Sequence, residues 1–171
     1  MGTEEHRRKA KRVFRFAVVT VSDSASRGER EDESGDVIEE RLKSLGNTCV
    51  YRSVVPDDKL KILKALAEAF EAGAEIVVTT GGTGITSRDV TVEAVRPLFD
   101  KELAGFGDVF RLMSYEEVGS AAILTGATAG VIRSGGRAMV VFCLPGSPNA
   151  VRTGLRIIEK EAGHVLKHAG E

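Results

Sequence analysis

Two aspartates and a glycine-rich loop are the residues of this chain best equipped for chemistry. The run VVTTGGTGITSRDVTVEA (residues 77–94) leads from an apolar strand through Gly81, Gly82 and Gly84 into a helix opening on Asp89. Glycine lets backbone N–H groups face an anion, and the hydroxyls of Thr79, Thr80, Thr83 and Thr86, with the helix N-terminus behind them, add to the same field. A bare carboxylate would repel a phosphate bound there. Asp89 is therefore expected to act through a divalent cation, because Mg²⁺ is usually held by one or two carboxylates together with substrate phosphates. Asp57, from the turn Pro56-Asp57-Asp58, is the natural second carboxylate, with Asp58 behind it. Two strand-end aspartates flanking an anion loop point to metal-assisted phosphoryl or nucleotidyl transfer.

Plainer roles stand beside these. The glycines also suit a tight strand-to-helix turn, and Asp89 also suits a helix cap or first-turn charge assisted by Thr91 and Glu93. Arg88 would meet a phosphate, the favoured reading, or pair with a surface carboxylate. Two familiar phosphate templates fail. The loop lacks the second-glycine spacing and the lysine of a P-loop. The dinucleotide fingerprint holds from Gly82 to Gly84 but places Ser87 at its last glycine and follows the third strand rather than the first, which disfavours an NAD-dependent oxidoreductase.

Positioning these residues requires a sheet whose strands end at one edge. FRFAVVTVS (14–22) reads as a buried strand and ESGDVIEERLKSLG (33–46) as a helix with Val37, Ile38, Leu42 and Leu45 on its apolar face and Gly46 at its end. TCVYRSVVP (48–56) is a strand, and DKLKILKALAEAFEAG (58–73) a helix with Leu60, Leu63, Leu66, Ala67 and Phe70 inward. AEIVVTT (74–80) is a third strand. Such a β-α-β-α-β series implies parallel strands with right-handed crossovers and ligands at their carboxyl ends. Four strand ends would then gather Ser22, Asp23 and Ser24; Pro56, Asp57 and Asp58; Gly81 to Gly84; and Pro145, Gly146, Ser147 and Pro148. Helical patterning covers roughly 89–97 and 101–122. AGVIRSGGRAMVVFCLP (129–145) reads as two strands around a Ser-Gly-Gly-Arg turn, making the sheet mixed, and a last helix starts near Pro148.

Length and composition bound the rest. The chain has 171 residues, 42% hydrophobic and 29% charged, with a formal net charge of −1, which suits one globular domain and argues against a general polyanion binder such as a nucleic-acid protein. Residues 1–12 form a basic tail and 13–171 the single domain; Arg7, Arg8, Lys9, Lys11, Arg12 and Arg15 crowd the start. No apolar run spans a membrane and no signal-peptide core is present, so the expected compartment is the cytoplasm. Cys49 and Cys143 sit in apolar runs and read as buried thiols. His164 and His168, four apart on the last helix, read as a solvated face rather than metal ligands, and Tyr115 with Phe106, Phe110 and Met113 as packing. The absence of Gln and the presence of only two Asn point toward heat adaptation.

The motifs TTGGTG, RDVT.EA and PGSP, continued by SDSASRGEREDESG, PDD, LFDKELAGFGDVFRLMSYEEVGSAAI, AGVIRSG and LPGSPNAVRTGL, resemble the MoaB/MogA family of molybdenum cofactor biosynthesis proteins, related also to the G domain of gephyrin-type proteins. The resemblance runs from about residue 13 to residue 160 and leans toward the MoaB branch. It implies a Rossmann-like three-layer α/β/α sandwich with a mostly parallel, mixed sheet, and a molybdopterin adenylyltransferase that uses ATP and Mg²⁺ and releases pyrophosphate. By motif it implies Asp57 and Asp89 as the functional, Mg²⁺-holding aspartates. Thr80, Gly81, Gly82, Thr83 and Gly84 become the anion loop with Arg88 beside it, and Ser22, Asp23, Pro145, Gly146, Ser147 and Pro148 line the same pocket. It further implies a trimer or hexamer, with the hexamer favoured, and a downstream molybdenum-insertion enzyme as partner. A molybdopterin carrier or scaffold with little turnover is the alternative.

Overall fold

The computed structural model describes residues 2, 4, 5 and 13–171. The basic tail from Arg7 to Arg12 lies outside them, while Arg15 opens the first strand. Six strands form one sheet: β1 (Arg15–Val21), β2 (Thr48–Val55), β3 (Ile76–Thr80), β4 (Lys101–Glu102), β5 (Thr128–Ser134) and β6 (Arg137–Leu144), in the order β2-β1-β3-β6-β5-β4. β2, β1, β3 and β6 run parallel, whereas β5 and β4 are antiparallel additions. The expected hairpin joins β5 to β6 at Gly135 and Gly136, whose φ values of +56° and +77° are the two left-handed positions of a tight hairpin turn.

Strict alternation along the central strands divides the core. Phe16, Val18, Ile76, Val78, Val140, Phe142 and Leu144 face helices α2 (Glu33–Ser44), α5 (Ala104–Val118) and α6 (Pro148–Ala169) through Ile38, Leu42, Phe106, Phe110, Leu155 and Ile158. Ala17, Val19, Val21, Val77, Val141 and Cys143 face α3 (Lys59–Glu71) and α4 (Thr91–Val95) through Ile62, Ala65, Leu66, Ala69 and Val95. Helices on both faces of one mixed sheet make the three-layer α/β/α sandwich. A four-residue helix, α1 (Asp23–Ser26), follows β1 directly, capped by Ser22.

Several sequence expectations shift. The apolar face of α3 is rotated from the one predicted: Leu60 and Ala67 are exposed, and Ile62, Ala65 and Ala69 do the packing. Leu and Ala are good helix formers wherever they fall, so their spacing alone defines the stripe loosely. Leu45 at the end of α2 is likewise exposed. Helix α4 stops at Val95, because Pro97 turns Arg96–Leu98 into a 3₁₀ turn. Lys101–Glu102, predicted helical, is the edge strand β4 paired with Val131 and Gly130. Phe99 packs onto Gly130, where any Cβ would run into its ring. The remainder of 101–122 is α5 followed by a 3₁₀ segment, Gly119–Leu124. Cys143 is buried, but Cys49 is only half-buried.

Candidate active site

Val21, Val55, Thr80 and Leu144 end four adjacent parallel strands at one edge of the sheet. The chain order reverses between β1 and β3, which makes their carboxyl ends the topological switch point where such sheets open a crevice. Two clefts occupy that edge. The first, about 400 Å³, is lined by Ser22, Asp32, Ser34, Asp57, Thr80 and Ser147 among others. The second, about 390 Å³, is lined by Gly81 to Gly84, Asp89, Leu124, Thr125 and Pro145. Gly146 belongs to both walls. The Pro145–Gly146 turn is thus a low ridge between two chambers, fixed by hydrogen bonds to its carbonyls from Thr80 Oγ1 (2.9 Å to Pro145 O) and Ser34 Oγ (2.7 Å to Gly146 O).

On the first chamber's side, Asp23 and Asp57 brace each other. Asp23 N donates to Asp57 Oδ2 and Asp57 N to Asp23 Oδ1, each at 3.0 Å. The turns after β1 and β2 are locked together by these two rungs. Arg88 reaches across from the turn after β3, donating from Nε (3.0 Å) and Nη2 (2.6 Å) to Asp23 Oδ2. Hydrogen bonding from the Asp57 amide and the Arg88 guanidinium holds Asp23 below the usual carboxylate range. Asp57 is pushed up, first by burial and then by the charges of Asp23 and Asp89, which the Asp23 amide and Arg88 only partly offset.

On the second side, Asp89 accepts from the Thr86 amide (3.0 Å) and hydroxyl (2.7 Å) through Oδ2. Burial alone would raise it, but these bonds and the Gly84 amide outweigh that, and its carboxyl lies below the usual range. Asp89 therefore caps its own loop; the N-cap of α4 is Val90. The glycines are set largely by neighbouring atoms. Gly81 (φ +98°) passes so close to β1 that a Cβ would strike the Val21 carbonyl, and Gly82 (φ +72°) lies against the Thr91 hydroxyl. Gly81 N is already bonded to Leu144 O. The amides of Gly82 and Thr83 have no partner among the described residues, so the anion cradle is narrower than the motif suggested.

The structure gathers Ser22, Asp23, Asp57, Thr80, the glycine loop, Arg88, Asp89 and the Pro145–Pro148 turn at one edge, but it places Asp57 and Asp89 on different chambers. The charge of Asp89 is the smallest of the influences that push the Asp57 carboxyl up. Asp58 is absent from both linings: it caps α3 by accepting from Lys61 N at 3.0 Å. Thr79 is fully buried beside Cys143 and faces no cleft. Burial pushes the Cys143 thiol up to about 11. Glu117 accepts from Thr153 and Arg156 and ties α5 to α6. His164 and His168 are not simply solvated: their rings lie 4.9 Å apart in a separate cleft with Lys101 and Arg133.

Three structural roles were not read from the sequence. Thr91, fully buried, donates from Oγ1 to Gly81 O (2.8 Å) and from N to Gly82 O (3.0 Å), tying the loop to α4. Asp32 accepts from Gly35 N, from Thr20 Oγ1 and from Arg52, which also binds Asp36 and Glu39. Its place before the apolar run of α2 is a readable cap signal. Ser34, bonded across 112 positions to Gly146, leaves no local trace.

Mg²⁺ would find hard oxygen donors here: Asp57, raised first by burial, also feels the charges of Asp23 and Asp89, which a cation would offset. No group of three or more His, Cys, Asp or Glu able to hold a metal occurs among the described residues, so any ion would rest on one or two carboxylates plus substrate oxygens. No helix among them is long and apolar enough to cross a membrane.

Comparison with known proteins is consistent along nearly the whole chain. A family model described as "Probable molybdopterin binding domain" matches residues 17–164. The "Molybdopterin adenylyltransferase" of Pyrococcus furiosus is 60% identical over 171 residues, covering 100% of both chains. "Molybdenum cofactor biosynthesis protein B" of Bacillus cereus is 45% identical over 168 residues, 96% of each. The crystal structure of the "tungsten cofactor synthesizing protein MoaB from Pyrococcus furiosus" superposes with a TM-score of 0.91 at 60% identity, covering 95% of this chain and 100% of that one.

Proposed function

Since the chain belongs to the molybdopterin-binding-domain family of molybdenum cofactor biosynthesis proteins, we propose that it is a molybdopterin adenylyltransferase: molybdopterin and ATP give adenylylated molybdopterin and pyrophosphate. The observation that carries this reading is the pair of chambers of about 400 and 390 Å³ sharing Gly146. A transferase for two sizeable substrates needs two adjacent pockets whose reacting groups meet at a common wall. A carrier needs only one.

In the transfer, an oxygen of molybdopterin's terminal phosphate forms a bond to the α-phosphorus of ATP while the bond from that phosphorus to the pyrophosphate oxygen breaks. The protein's part is position and charge. Gly82 and Thr83 amides and Arg88 offer donors to phosphate oxygens, and Thr80 and Ser34 keep the ridge between the chambers in place. Asp57 and Asp89 are the residues that would hold Mg²⁺, which when bound neutralises phosphate charge. Self-association to a trimer or hexamer is supported by an exposed apolar stripe along α5 and the following turn, Val109, Leu112, Tyr115, Val118, Ile123 and Leu124. A cytoplasmic place and a downstream molybdenum-insertion partner fit the same role.

Purified protein mixed with ATP, Mg²⁺ and molybdopterin tests the reading. Pyrophosphate release that requires both substrates is the expected result. Tight pterin binding without pyrophosphate would instead establish the carrier.

A further inference from the structure

Asp23 divides its two carboxylate oxygens between two different loops. Oδ1 accepts from the Asp57 amide at 3.0 Å, and Oδ2 accepts from Arg88 Nε and Nη2 at 3.0 and 2.6 Å. We propose that Asp23 is a positioning residue for adenylyl transfer: it holds Asp57 through one oxygen and, through the other, aims Arg88 at the phosphate that is transferred. The proposal rests on the adenylyltransferase reading.

Stability does not explain the Arg88 contact. The Arg88 side chain is 65% exposed and the Asp23 side chain 26%, and an ion pair so open to solvent adds little to a fold. Its location is informative. Asp23 belongs to the brace beside the first chamber, while Arg88 precedes Asp89, which lines the second. The ion pair therefore ties the turn after β1 to the turn after β3 at the edge where both chambers open, although neither side chain is among the residues lining them. Nε and Nη2 are both committed to Asp23 Oδ2, leaving the two N–H bonds of Nη1 without a partner among the described residues. A guanidinium fixed on one edge and open on the other binds a phosphate with less ordering than a free arginine, because its fork is already oriented.

The two oxygens can be separated chemically. In Asp23→Asn the amide oxygen still accepts from Asp57 N, but the NH₂ group faces the Arg88 donors and releases them. In Asp23→Ala both contacts go. The experiment measures ATP affinity by calorimetry in Mg²⁺ and steady-state transfer for wild type, Asp23→Asn, Arg88→Gln and the double variant, with melting curves to establish folding. The expected result is an approximately tenfold rise in ATP dissociation constant and KM for Asp23→Asn, kcat within about threefold, and a double variant no worse than Arg88→Gln alone. Asp23→Ala, which also frees Asp57, should lower kcat as well. An unchanged KM in Asp23→Asn, or losses that multiply in the double variant, overturns the proposal. Should Asp23→Asn fail to fold, Arg88→Lys, which keeps the charge but loses the fork, must show the same KM rise. If wild type itself releases no pyrophosphate, the adenylyltransferase reading fails, and ATP affinity across the same four proteins still decides whether Asp23 acts through Arg88.

Discussion

Replacing Thr91 by valine isolates one hydroxyl on which the glycine loop depends. Thr91 is fully buried; its Oγ1 donates to Gly81 O at 2.8 Å, and its amide, which valine keeps, donates to Gly82 O at 3.0 Å. Valine preserves the volume and the β-branch, so packing and backbone preference hardly change. What is lost is one donor to a buried carbonyl, which costs about 1–3 kcal/mol when the acceptor is left unsatisfied. For a domain of this size each 1 kcal/mol lowers Tm by about 2–4 °C, giving a fall of roughly 2–12 °C. Because the loosened segment is the wall of the second chamber, KM should rise more than kcat falls. Thr91→Ser, which restores the hydroxyl, should recover most of the loss. The assay is a thermal melt beside the pyrophosphate-release reaction. A valine variant melting within about 1 °C of wild type, or a serine variant as damaged as the valine one, would show that the methyl packing and not the hydroxyl secures the loop.

Asp57→Asn should abolish transfer while leaving Tm equal to or above wild type. The raised carboxyl of Asp57 means that its ionised form is disfavoured in the folded state; the stability it contributes is present below the ordinary aspartate range and lost as pH rises through its folded value. Melting curves from pH 4 to pH 8 should therefore show the variant gaining on wild type toward neutral pH, and a variant that loses ground there refutes this. Arg52→Met leaves Asp32, Asp36 and Glu39 facing one another and should cost about 2–3 kcal/mol, discounted from a fully buried case because Arg52 and Asp36 are partly exposed. Denaturant unfolding should show a lower midpoint with unchanged slope; a shift under about 0.5 kcal/mol counts against the network. Gly81→Ala forces a Cβ toward the Val21 carbonyl at φ +98°, and its activity should fall by more than its Tm implies, since it moves the β1 turn that carries Asp23.

Much of the sheet was legible because buried parallel strands write continuous apolar runs, as FRFAVVTVS and AEIVVTT do. Several of the candidate residues at the sheet edge were placed for the same reason, since Ser22, Asp57, Gly81 and Pro145 closely follow the ends of such runs. Residues whose roles depend on partners far along the chain were not legible. Ser34 meets Gly146 across 112 positions, and Arg88 meets Asp23 across 65; neither separation has a local signature. The glycine loop was read as a phosphate cradle because glycine frees amides, yet Gly81 and Gly82 are needed chiefly where β1 and Thr91 press against the turn. Edge strand β4 was hidden because two residues cannot display a period, and their pairing with β5 exists only in the folded sheet.

Single-turnover adenylyl transfer by Asp57→Asn, Asp89→Asn and the double variant, each shown to be folded, tests most directly whether carboxylates from two strand ends serve one reaction. The account predicts that each single variant loses at least about a hundredfold in rate and that the double variant is little worse than either, as for groups that act as a unit. Wild-type rates in both single variants would contradict it.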